Sequence, residues 1–145
     1  EARAIQLSIA NGNDDWEAQL VAAFHRLTKT SPPGHILNPV EEEERERRHR
    51  DFHMALVSGC RSRWLLRFCE QLTAHLERYR RILNPQSAIS TGDGKEIEDE
   101  HRALMTVVID RDVDGAIDLI ERHRNRTYNV ILGRFEAYRG FVAAE

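Results

Sequence analysis

Apolar residues recur at intervals of three and four along most of the chain, and nowhere do they alternate in twos with β-branched residues. That period puts them on one face of an α-helix. In residues 14–29, "DDWEAQLVAAFHRLTK", Trp16, Leu20, Ala23, Phe24 and Leu27 form one stripe, with Asn13 or Asp14 as N-cap. The chain already reads as helical at Glu1. "TSPPGHILNP" (30–39) interrupts the pattern, because paired prolines and a glycine cannot continue a helix. Helix resumes from Val40 to about Gly59, its "EEEE" run at the end where the dipole favours negative charge. Residues 62–83 predict a long amphipathic helix, with Leu65, Phe68, Cys69, Leu72, Leu76, Tyr79 and Leu83 recurring at three and four. "NPQSAISTGDG" (84–94) is loop by composition; a helix from about Lys95 to Ile109 follows. "DRDVDG" turns the chain with Asp112 as cap, and a last helix runs from Val113 through at least Arg134. No strand is predicted. The pattern describes an all-α antiparallel helical bundle of about six helices joined by short loops, one domain over residues 1–145.

Composition narrows the function. With 41% apolar and 31% charged residues, the chain has the make-up of a soluble protein. A net charge of −3 and a pI near 6.2 provide no basic field, so the chain by itself is a poor nucleic-acid binder. No run approaches the roughly 20 apolar residues of a membrane span, and no signal peptide is visible, which points to the cytoplasm. Cys60 and Cys69 lie nine apart, without metal-ligand spacing, and read as small core residues in a reducing compartment. The chain starts in helix without a methionine or cap, so we expect it to be part of a longer protein.

The candidate chemistry is histidine. "RRHRDFHMAL" (47–56) puts His49 and His53 four apart, on one helix face that continues through Leu56, Val57 and Cys60. Asp51 lies two residues from each and cannot join them. His101 falls in the stripe of Ile97, Leu104, Met105 and Val108, and His123 follows Ile120 by three on the final helix. Four imidazoles on three helices thus face the inside of one bundle. They read either as core histidines with ordinary partners or as the cage of one divalent ion, which would satisfy all four. His25, His35 and His75 read as structural or solvated.

"HRDFHMALVSGCRSRWLLRFCEQLTAHLERYRRI" followed by "EHRALMTVVIDRDVDGAIDLIERH" resembles the ligand-sensing C-terminal (FCD) domain of GntR-type bacterial transcription regulators of the FadR subfamily, over roughly residues 12–128. The resemblance implies a helical bundle whose core holds a divalent metal, bound by an Asp-x-x-x-His pair and two later histidines. It also implies a small carboxylate metabolite that completes the coordination, a homodimer, and operator DNA gripped by a winged helix-turn-helix. That DNA-binding segment is expected to lie before Glu1, outside this chain. His49 departs from the family pattern, standing where the pair usually has aspartate. Metal ligands would then be His49, His53, His101 and His123, four neutral groups that move preference towards Zn or Ni and leave the ion's charge to attract an anion. Whether His49 ligates or leaves its place to water or effector stays open at this level. For the effector carboxylate, Arg80 is the first candidate, Arg78 the second, and Thr127 a hydrogen-bonding group one turn past His123; each arginine taken alone reads more readily as a surface ion pair.

Two other readings are weighed against this sensor. A histidine-ligated metalloenzyme is disfavoured, since no HExxH is present and Glu100 points about 100° away from His101. A plain helical interaction module would hold no metal.

Overall fold

Helix starts coincide with residues that can cap them. Asn13 accepts a hydrogen bond from the Trp16 amide at 3.1 Å and opens the second helix. Asn38 accepts from the amides of Val40 and Glu41, while the Glu41 carboxylate accepts from the Asn38 amide, a reciprocal box with Pro39 as the first helical residue. Asp112 accepts from the Gly115 amide at 3.0 Å and opens the last. The computed structural model describes residues 1–30, 37–83 and 94–142. It has six helices: α1 (Ala2–Asn11), α2 (Asp14–Thr28), α3 (Pro39–Ser58), α4 (Arg63–Leu83), α5 (Gly94–Ile109) and α6 (Val113–Val142). No strand occurs among the described residues. His35, most of the proline-rich break and nearly all of the 84–94 loop lie outside the described residues, as does the Leu83 side chain.

Helix α3 packs on α1, α2 and α4, and α6 packs on α1, α4 and α5. Ile5, Leu20, Phe52, Leu56, Leu104 and Ile120 fill the core between them and are fully buried. Cys60 and Cys69 are buried free thiols. Trp16 ties α2 to α3 by donating its indole N–H to the Ala55 carbonyl at 2.9 Å. Arg111 ends α5 in the left-handed region, at φ 61°. Its guanidinium bonds Ile9, Gly12 and Glu17 and lies 5.4 Å from the Trp16 ring centroid, which offsets the backbone strain of about 1 kcal/mol.

Gly12 closes the turn between α1 and α2 directly beneath the Trp16 ring. A methyl group there would lie 2.0 Å from Trp16 Cε3, so the indole would have to leave its slot. We expect Gly12→Ala to lower stability by about 2 kcal/mol, read as an earlier urea midpoint with an unchanged slope.

Helix α4 departs from the sequence reading. An amphipathic stripe ordinarily faces a core, but Trp64, Phe68, Leu72 and Tyr79 are 70%, 55%, 62% and 54% exposed. The buried positions are Cys69, a member of the stripe at its inner edge, and Thr73 and Glu77 on the polar side beyond it. Ion pairs explain the inversion. Glu77 accepts from Arg50 at 2.9 Å, and Arg80 reaches the buried Glu46 at 2.7 Å, so the polar face of α4 is satisfied against α3. Leu65 and Leu76 sit half-buried at the margin.

Candidate metal centre

The site is assembled from three helices. Phe52 and Leu56 anchor α3 in the core, and the same register turns His49 and His53 inward, one turn apart. Leu104 and Val108 do the same for His101 on α5, and Ala116 and Ile120 for His123 on α6. His53, His101 and His123 are buried; His49 is half-buried. One nitrogen from each of the four lies within 4.8 Å of all the others. His49 Nε2 is 3.0 Å from His101 Nε2 and 3.2 Å from His53 Nε2.

The outer nitrogens decide what the inner ones carry. His101 Nδ1 donates to the Ile97 carbonyl at 2.7 Å, and His123 Nδ1 donates to Glu100 Oε2 at 3.0 Å. His53 Nδ1 lies 3.2 Å from Glu1 Oε1 and 3.1 Å from Arg124 Nη2, contacts that call for opposite tautomers. Glu1 already takes two bonds from Arg124, at 2.5 and 2.7 Å, and as the acidic partner it fixes the proton on Nδ1. Each of these three rings therefore turns an Nε2 lone pair towards the common centre. His123 Nε2 is buried there with no hydrogen-bond partner; His49 faces the centre with its Nε2, and its other nitrogen, Nδ1, is buried without a partner. Lone pairs pointed at one another repel, and a cation between them removes the conflict. Bonds of about 2.1 Å to one ion would space imidazole nitrogens about 3.0–3.4 Å apart, so the residues present fit such an ion.

Protonation cannot take the metal's place near neutral pH. Burial, then the neighbouring His53 and Arg80, hold His49 well below the ordinary imidazole value. Burial and Arg124 do the same for His53. His101 is pushed down to about 3, chiefly by burial. His123 is lowered by burial, against an opposing pull from its bond to Glu100. Burial works to raise Glu100, but its bonds from His123 and Arg126 outweigh that and leave it ionised.

The other sequence candidates fall at different distances from this centre. Arg80 is nearly buried and pairs with Glu46, yet its Nε has no partner. Arg78 is exposed. Thr127 is half-buried and gives its hydroxyl to the His123 carbonyl at 3.1 Å. His25 and His75 are exposed, and Asp51 is exposed and paired with Arg47. Three contributors escaped the sequence reading: Glu1, Glu100 and Arg124. The 100° that turns Glu100 away from His101 aims it at His123 on the neighbouring helix, a contact between elements that periodicity does not encode.

A six-helix bundle with inward imidazoles at its centre can hold an ion there, and comparison with known proteins gives its family. Residues 1–126 match the model of the FCD domain, and the chain belongs to that family, the C-terminal domain of GntR-type regulators. It is 32% identical over 136 residues to the uncharacterized HTH-type transcriptional regulator BphR of Paraburkholderia xenovorans (strain LB400), covering 90% of this chain and 52% of that protein. It is 34% identical over 123 residues to the HTH-type transcriptional repressor GlaR of Escherichia coli (strain K12), covering 85% and 55%. The chain thus spans about half the length of these curated relatives, which are named as regulators and not as enzymes. The solved structure of E. coli McbR/YncC shares the fold, with a TM-score of 0.75 at 16% identity over 92% of this chain and 59% of that one. Among the described residues, no helix is long and apolar enough to cross a membrane.

Proposed function

We propose that this domain senses a small carboxylate metabolite through a divalent metal held by His49, His53, His101 and His123. In a cytoplasmic regulator dimer, ligand binding here alters the grip of a helix-turn-helix segment on operator DNA. The observation that carries the reading is the convergence of inner imidazole nitrogens whose outer nitrogens are tied to Glu1, Ile97 and Glu100. Imidazole ligands favour Zn or Ni over Mg or Mn. Four neutral ligands leave the ion's charge uncompensated within the cage, which favours an anion as the next group. Arg80 supplies a fixed cation beside it, with a free Nε donor. Arg78 is the weaker candidate because it faces solvent, and Thr127 has its oxygen lone pairs left to accept.

Elemental analysis and thermal shift test this together. We expect about one Zn or Ni per chain, and a rise in melting temperature with small carboxylates that appears only in the metal-loaded protein. Arg80→Lys keeps a charge against Glu46 but removes the Nε donor, and should weaken the carboxylate response about tenfold at unchanged metal content. A metal-free chain that ignores both chelator and carboxylates would defeat the proposal.

A further inference from the structure

Four charges of alternating sign run from the first turn of α3 into the bundle. Glu42 accepts from Arg45 Nη2 at 2.6 Å, Arg45 Nη2 also reaches Glu46 Oε1 at 3.4 Å, and Glu46 Oε2 accepts from Arg80 Nη2 at 2.7 Å. Side-chain exposure falls along α3 from 26% at Glu42 to 7% at Glu46, and Arg80 is 10% exposed. At about 100° per residue Glu46 lies within about 60° of both His49 and His53, so it shares the face of α3 that builds the cage. The Nε of Arg80 is buried beside this row without an acceptor.

We propose that Glu46 is a positioning residue: it holds the Arg80 guanidinium in the orientation that offers Nε–H to an anionic ligand of the cage. The proposal deepens the sensor reading and rests on it. Burial is the first observation behind it. A salt bridge that only ties two helices need not leave water, and Arg50–Glu77 joins the same two helices with Arg50 35% exposed. Taking both ions of the Glu46–Arg80 pair out of water is costly, so the pair contributes little as a tie. Geometry is the second. An arginine side chain is long and flexible, and a carboxylate bonded at Nη2 fixes the plane of the whole guanidinium, Nε–H included. The third is competition. Glu77 lies one turn before Arg80 on α4 and also favours its charge, so with Glu46 withdrawn the guanidinium is drawn along its own helix.

Glu46 thus serves Arg80 with one oxygen and is braced at the other by Arg45, which Glu42 holds in turn. The donor meant for the ligand stands on a fixed row of charges rather than on a loose side chain.

Glu46→Asp keeps the charge and draws the carboxylate back by one methylene, so it changes geometry without changing the charge count. In metal-free protein, with chelator present, the Arg80 Nε–H should give a slowly exchanging NMR signal, assigned by its absence in Arg80→Lys. Glu46→Asp should speed that exchange at least ~10-fold, and Glu77→Asp should leave it as it is. In metal-loaded protein the acetate concentration that gives half the thermal shift should rise about tenfold in Glu46→Asp, at unchanged metal content. In the Arg80→Lys background the same substitution should add nothing, which separates a residue acting through Arg80 from one that only supports the fold. Glu46→Gln, equal in length, reads the exchange if the shorter side chain fails to fold. Exchange unaltered in both Glu46 variants, an unchanged acetate midpoint, or effects that add in full with Arg80→Lys would overturn the proposal. A wild type that holds metal but ignores acetate defeats the sensor reading, and the exchange data, taken without metal or ligand, then decide on Glu46 by themselves.

Discussion

Replacing His101 with alanine is expected to empty the cage. Elemental analysis should return less than about a tenth of the metal found in wild type, because a ligand is lost outright where even a supporting residue is worth 10- to 100-fold in affinity. The effect on stability separates a metal site from a packing site. In metal-free protein, His101→Ala removes one of the lone pairs crowded at the centre, so part of the cavity cost is returned. In loaded protein the wild type alone gains from binding, about 4 kcal/mol at a metal concentration a thousand times the dissociation constant. Chelator should therefore lower the melting temperature of wild type and leave His101→Ala where it is. Metal retained at full stoichiometry in the variant would place the ion elsewhere.

Acid should unfold the metal-free chain well before its carboxylates protonate. His49, His53, His101 and His123 are held neutral chiefly by burial, His101 down to about 3. Unfolded imidazoles titrate near 6.5. Above that value both states are neutral and stability is fully present. Below it the unfolded chain binds protons that the folded chain refuses, so stability falls with pH, by about 1.4 kcal/mol per histidine per unit. Across His49, His53 and His101 the loss by pH 5.5 is about 4 kcal/mol, to which His123 adds a smaller share because its bond to Glu100 opposes its burial. Urea midpoints at pH 7.5 and 5.5 in chelator measure it, and His101→Ala should flatten the slope by roughly a quarter to a third. In loaded protein, protons also compete with the ion for the same nitrogens, which lowers metal affinity in the same direction. A flat profile in chelator would mean that the imidazoles are hydrated in the folded state.

Local information carried most of the helices and the choice of inward histidines. The proline pair, the caps at Asn13 and Asp112 and the three-four spacing act within a few residues, so they can be read along the chain. The orientation of α4 could not be. Its stripe reads as core, and what reverses it is the pairing of Glu77 with Arg50 and of Arg80 with Glu46, between residues 27 and 34 apart in sequence. Glu1 and Glu100 were illegible for the same reason. Each supports a histidine on another helix, and a carboxylate in a charged sequence gives no sign of which neighbour it will meet. His49 was legible as an inward group, and its unpartnered Nδ1 is a property of the packed interior alone.

The cage draws its nitrogens from α3, α5 and α6 and none from α1, α2 or α4. An ion bound there makes those three helices a single opening unit: amide protons at their centres exchange with solvent only when all three part together. Helix α4, fastened by ion pairs and apolar on its outer side, keeps its own slower or faster clock. An ion held there would thus divide the molecule into three helices that must release it to part and three, α1, α2 and α4, that need not.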